Sequence, residues 1–138
     1  MGVFTVKARV WAVGRTSGAV EVDLLVDTGA TYTVLPASLL ARLGVAPLRT
    51  VRLRLADGRV VERELGEVGI EVEGLRASAT PVVFGEEGIY LLGSVTMEQL
   101  GLAPDPVEKR LKPVEALLMS TPSVGVVGPL AEVVEIYA

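Results

Sequence analysis

LLVDTGATYTVLP, residues 24–36, sets an acid at the end of an apolar run, turns on small residues, and then resumes an apolar run. Folding would favour a hydrophobe at Asp27, because a carboxylate withdrawn from water is costly unless something nearby compensates it. The rest of the chain therefore has to explain Asp27.

Composition narrows the explanations. A chain of 138 residues with 50% hydrophobic content is long enough to bury one core, and one domain is expected. Its formal charge is -4, with 13 basic and 17 acidic residues spread along the chain, so no basic stripe is available to neutralise phosphates. Nucleic acid is excluded as an expected partner. No stretch reaches the roughly 20 apolar residues of a membrane span, and the opening MGVFTVKARVWAV alternates like a strand, unlike a leader peptide. No membrane partner is expected, and the location expected is cytoplasmic. Val6 stands where a myristoylation signal needs Ser or Thr, which removes that reading.

The sequence holds no Cys and no His. Cysteine nucleophiles, Ser/His/Asp triads, disulfide frameworks and zinc sites built on imidazole or thiolate are thereby excluded, and carboxylate chemistry is what survives.

β-Branched residues alternating with polar ones, broken by frequent turn signals, predict a mainly β chain. VFTVKARVWAV (3–13) and AVEVDLLVD (19–27) form a hairpin through GRTSG, and TYTVLP is a short strand. PASLLARLG predicts a helix with Pro36 near its start and Gly44 past its end. TVRLRLADGRVVEREL is two alternating runs about an Asp-Gly turn, with Asp57 as the turn residue. EVGIEVEG and RASATPVVF predict two further strands, followed by GIYLLG. SVTMEQLG is a second helix with Ser94 as its cap and Gly101 at its end, and VEKRLKPVEALLM returns to an extended pattern. STPSVGVVGP (120–129) reads as a linker, and LAEVVEIYA as a strand or short helix. The expected organisation is a domain over 1–119 and a carboxy-terminal extension over 120–138.

Three of these pieces, LLVDTGATYTVLP, RLADGRVV and YLLGSVTMEQLGL, occur in an order that resembles the retropepsin-like aspartic proteases, in their bacterial or cellular branch. The resemblance implies a closed β-barrel or sandwich with two short helices, acting as a C2 homodimer on a peptide or protein substrate. It implies Asp27 as the catalytic acid/base on a tight loop. Thr28 would turn its hydroxyl back into the loop scaffold, and Gly29 would let a second loop approach. Leu91, Leu92 and Gly93 would pass beneath the loop and wall it in. The hairpin tip at Ala56, Asp57 and Gly58 resembles the flap that closes over substrate, although here it is charged, with Arg52, Arg54, Arg59, Glu62 and Arg63. Ala30, expected to line the cleft, stands at the position where many two-lobed relatives carry Ser. Loss of that hydroxyl leaves the ionised carboxylate with less support, so the expected pH optimum is less acidic than theirs. Neither metal nor organic cofactor is expected.

Hydrolysis by this route needs two carboxylates flanking one water and sharing one proton. The chain offers one Asp-Thr-Gly; Asp57 reads as a turn residue, Asp105 lies in LAPDPV, and Asp23 sits too far up its strand. A two-fold homodimer supplies the second Asp27 by symmetry, and the interface supplies the burial that tunes the shared proton. Two other readings stay open: a dimeric binding or assembly module without catalysis, and a latent enzyme whose tail, residues 120–138, covers the site.

The chain also lacks Asn and has Gln99 as its one Gln, a depletion of thermolabile residues found in heat-adapted proteins. A melting temperature above the roughly 45–65 °C of ordinary mesophile domains is expected, and one inside that range removes the inference.

Overall fold

The alternating amino-terminal segments pair antiparallel, β1 (Thr5–Ala12) against β2 (Val20–Val26), with a 3₁₀ turn at Thr16–Gly18 between them. The computed structural model describes residues 3–118, so the linker and terminal segment expected over 120–138 lie outside it. β3 (Thr33–Pro36) leads into α1 (Ala37–Leu43), which ends on Gly44 at φ 85°, the left-handed turn that glycine takes without steric cost. The Asp-Gly hairpin joins β4 (Arg49–Arg54) to β5 (Val60–Val72), and β6 (Leu75–Gly85) follows. Then come β7 (Leu91–Leu92), α2 (Ser94–Leu100), β8 (Leu102–Asp105) and β9 (Arg110–Pro113).

EVGIEVEG is not a strand of its own. It continues the second arm of the hairpin as one 13-residue strand, because Gly66 stays extended in the ladder opposite Val82 where the sequence suggested a break. The real turn is Glu73–Gly74, both at positive φ, the two-residue geometry that matches strand twist. Ser94 does not cap α2 either. Gly93 holds the cap position, and carbonyls of the 27–31 loop take the first helical N–H groups.

Seven strands form one sheet in the order β1-β2-β7-β3-β6-β5-β4, and β1 also pairs with β5, so the order returns on itself. β8 and β9 make a separate two-stranded sheet, closed by a turn in which Asp105 Oδ1 accepts the N–H groups of Val107 and Glu108. The main core gathers Val6, Ala8 and Val10 of β1, Leu24 and Val26 of β2, and Leu35, Ile70, Val82, Leu92 and Met97 from the rest. A smaller cluster, Val51, Leu65 and Val83 with Tyr32, Val34 and Leu53 at its edge, lies under the β4–β5 hairpin. Trp11 is buried outside both clusters, its indole lying over Gly69 and beneath the Arg76 guanidinium.

At the hairpin tip Asp57 Oδ1 accepts the Arg59 N–H at 3.0 Å and Oδ2 takes Arg59 Nε at 2.7 Å. The backbone bond first, and then the side-chain bond, hold the Asp57 carboxyl below its ordinary pKa. The tip bonds belong to the ionised form. They are in place above the ordinary carboxylate range and are lost as pH falls through the lowered value.

Two outcomes are expected. A Cβ at Gly69 would lie 2.0 Å from Trp11 Nε1, so Gly69→Ala should cost about 1–3 kcal/mol in urea unfolding. Fluorescence of Trp11, the single tryptophan, follows it directly, and an unchanged midpoint would mean that the indole is not fixed there. The Arg59 amide resonance should move with acid as Asp57 takes its proton, at a pH below the usual aspartate range. A resonance that is flat, or that titrates as in an open peptide, would show that the tip bonds do not form.

Candidate functional site

β2 ends at Val26, and Asp27 is the first residue beyond it. Its position is fixed by the backbone, because Asp27 N–H donates to Leu92 O at 3.1 Å, one step past the parallel pairing of Leu25 with Leu91 and Val26 with Leu92. Asp27 Oδ1 accepts the Gly29 N–H at 2.9 Å, and the Ala30 N–H closes the turn onto Asp27 O at 3.1 Å. Asp27 is half-buried; Thr28 and Gly29 are exposed.

The loop is gripped from below by α2. Ser94 N–H donates to Ala30 O at 2.8 Å and Val95 N–H to Thr31 O at 3.0 Å. Helix N-termini leave such donors unpaired, and here the loop carbonyls satisfy them. Leu91 is half-buried, Leu92 fully buried, and Gly93 sits against the backbone of the loop. A Cβ on Gly93 would come within 2.3 Å of Tyr32 C and 2.5 Å of Tyr32 O.

Within one copy, two contacts stand out. The glycine that permits close approach of a second segment is Gly93, whereas a Cβ on Gly29 would meet only Asp27 Oδ1, at 3.2 Å. Among the described residues the Thr28 hydroxyl makes no hydrogen bond into the loop; the side chain stands exposed. It borders an apolar groove of about 620 Å³, lined also by Met97, Leu102, Pro104, Val114 and Leu117, to which Asp27 does not contribute.

Asp27, Thr28, Gly29, Ala30, Leu91, Leu92 and Gly93 thus meet in one place. Ala56, Asp57 and Gly58 stand apart at the exposed hairpin tip, whose hydrogen bonds stay within Arg54, Leu55, Asp57, Gly58 and Arg59. What joins hairpin to loop is the small cluster at the hairpin base, which includes Tyr32 and Val34.

The other aspartates are engaged elsewhere. Asp23 faces Lys7 at 3.4 Å, Asp57 holds Arg59, and Asp105 holds Lys112 at 3.3 Å. Backbone bonds to Glu108 hold the Asp105 carboxyl below its ordinary pKa, against an opposing push from burial. Asp27 has no ion pair among the described residues. No group of three potential metal ligands occurs among them either.

Sequence reasoning missed three residues at this site. Thr33, Thr80 and Thr96 are fully buried, and Thr33 Oγ1 accepts the Gly93 N–H at 3.1 Å. The one available signal was strand parity, which puts Thr33 on the same face as the buried Leu35.

A family described as aspartyl protease matches residues 12–102. No curated protein is similar in sequence at a significant level. Among solved structures, the EIAV protease complexed with the inhibitor HBY-793 is similar in fold, with a TM-score of 0.51 at 19% identity over 83% of this chain and 92% of that one. With its single Asp-Thr-Gly loop inside the matched segment, the chain belongs to the aspartyl protease family, with a fold similar to that of the retroviral enzyme.

Proposed function

We propose that the chain is an aspartic endopeptidase that works as a two-fold homodimer, with Asp27 from each copy sharing one proton and one water. The observation that carries this reading is the state of Asp27 in the single chain. It is fixed by backbone bonds, half-buried, and without an ion pair among the described residues, while the other three aspartates each hold a cation. A cation beside a carboxylate would fix it in its ionised form, whereas a second carboxylate forces the pair to keep one proton. Because Asp27, Thr28 and Gly29 lie at the surface of one copy, a second copy laid across them would complete the dyad and bury it.

In the reaction, the ionised Asp27 takes a proton from water as that water attacks the peptide carbonyl. The protonated Asp27 of the other copy hydrogen-bonds the carbonyl oxygen as it becomes tetrahedral. The proton then passes to the leaving nitrogen. Thr28 and Gly29 serve as scaffold, Ala30, Leu91, Leu92 and Gly93 as walls, and Ala56, Asp57 and Gly58 as the flap tip. The domain takes in residues 1–119, with 120–138 an appended segment. The substrate is a peptide or protein.

The test is cleavage of a mixed peptide library between pH 3 and 7 by wild type and Asp27→Asn, with and without a transition-state-mimicking inhibitor of aspartic proteases. Cleavage should fall by at least on the order of a thousandfold in the mutant, vanish with inhibitor, and peak above the strongly acid optimum of relatives that carry Ser at the Ala30 position. A profile peaking near pH 2 would overturn the role given to Ala30. A folded chain that cuts nothing, both with and without residues 120–138, would favour the binding-module reading, whereas activity that appears on removal of 120–138 would favour the latent enzyme.

A further inference from the structure

Three threonine hydroxyls form a chain inside the apolar core. Thr33 Oγ1 of β3 lies 2.6 Å from Thr96 Oγ1 of α2, which lies 2.7 Å from Thr80 Oγ1 of β6. All three residues have 0% exposure. Valine has nearly the same shape and would need no partner, so the hydroxyls are retained at a desolvation cost that shape alone does not require.

Their placement explains what they hold. Thr96 bonds both sides of the chain, and in either direction of donation it keeps two partners. At its inner end Thr33 Oγ1 also accepts the N–H of Gly93, the residue pressed against Tyr32. The residues just before Thr96, Ser94 and Val95, donate to Ala30 O and Thr31 O of the Asp27 loop. The α2 helix is only 7 residues long, too short to hold its own orientation, and Gln99 Nε2 adds one bond to Ala79 O at its far side.

We propose that Thr96 is a positioning residue for Asp27. By tying the first turn of α2 to β3 and β6 through Thr33 and Thr80, it fixes the two N–H donors that hold the loop at Ala30 and Thr31, and with them the angle at which Asp27 faces its counterpart. This rests on the catalytic reading of Asp27 given above. Thr96 touches no reacting atom, so its removal should lower turnover without weakening substrate binding. Such directional bonds confer geometry, which a hydrophobic contact of equal size does not.

The experiment compares full-length wild type, Thr96→Val and Thr96→Ser by two readouts. One is kcat and KM on a cleaved peptide. The other is hydrogen exchange at the Asp27, Ser94 and Val95 amides, measured against β1 and β5 amides as the gauge of global stability. Thr96→Val should lose on the order of tenfold in kcat with KM within about twofold. Exchange at the three local amides should rise on the order of tenfold beyond any change in β1 and β5. Thr96→Ser, which restores the hydroxyl, should recover both. Local amides that merely track the global ones, an unchanged kcat, or a folded Thr96→Ser that behaves like valine would each overturn the proposal. If the wild type cuts no peptide, the catalytic reading fails while the exchange comparison still decides whether Thr96 positions the loop. Should Thr96→Val not fold, Thr80→Val, which removes only the outer link, is judged by the same criteria.

Discussion

A strand of two residues carries most of the architecture of the site. β7, Leu91–Leu92, is wedged between β2 and β3, parallel to one and antiparallel to the other. It can sit there only because Gly93, the residue that follows, brings no side chain to the backbone of Tyr32 and Thr33. From that contact follow the Asp27 N–H to Leu92 O bond, the entry of α2 beneath the loop, and the two bonds by which α2 holds the loop carbonyls. Each such bond contributes on the order of 1 kcal/mol, so no single one fixes Asp27. Their convergence does, since the loop cannot shift without breaking several together.

The turn chemistry of Asp27 is ordinary, which makes its surroundings informative. Asp27, Asp57 and Asp105 all use Oδ1 to accept the N–H two residues ahead, the local bond that suits aspartate to turns. Asp57 adds Arg59 and Asp105 adds Lys112, and both carboxyls sit below their ordinary pKa, chiefly through backbone hydrogen bonds. Asp27 has only the Gly29 N–H among the described residues. Three similar turns therefore differ in one respect: two hold a cation beside the carboxylate, and the third holds none among the described residues. The acid at the end of an apolar strand is thus held by backbone bonds alone, which is the feature the proposed function has to use.

Much of the fold was legible because period and punctuation agreed. The β1–β2 hairpin, both helices with their terminal glycines, and the Asp-Gly hairpin all stand where alternation and turn residues put them. Legibility failed where a glycine served packing instead of turning. The runs on either side of Gly66 look like separate strands, yet Gly66 runs straight through β5, close to Ala46 O and Phe84, and the close approach made within this chain is at Gly93. A sequence marks a glycine without saying whether its missing side chain frees a dihedral angle or vacates a space. The buried threonines were hidden for a related reason. Thr33, Thr80 and Thr96 come from three elements, and no local pattern announces that their hydroxyls meet.

The two clusters differ in size, and the difference bears on which part of the sheet gives way first. β5 runs unbroken from the hairpin tip into the main core: Val68, Ile70 and Val72 are buried there, while Glu62 and Glu64 face outward and Leu65 alone anchors the outer half. The hairpin base thus rests on three buried residues, Val51, Leu65 and Val83, and its tip on hydrogen bonds among exposed groups. Local opening takes least free energy where few apolar contacts are lost, so strain on this strand should be relieved first in the hairpin while the paired core stays intact. The same small cluster includes Tyr32 and Val34, which flank Thr33 and adjoin the Asp27 loop. A displacement at the hairpin base would therefore be felt by the segment that follows the Asp27 loop, through side-chain packing. The directional bonds of Thr33 and Thr96 lie on the opposite face of β3, so the strand is packed by apolar contacts on one side and tied by hydroxyls on the other.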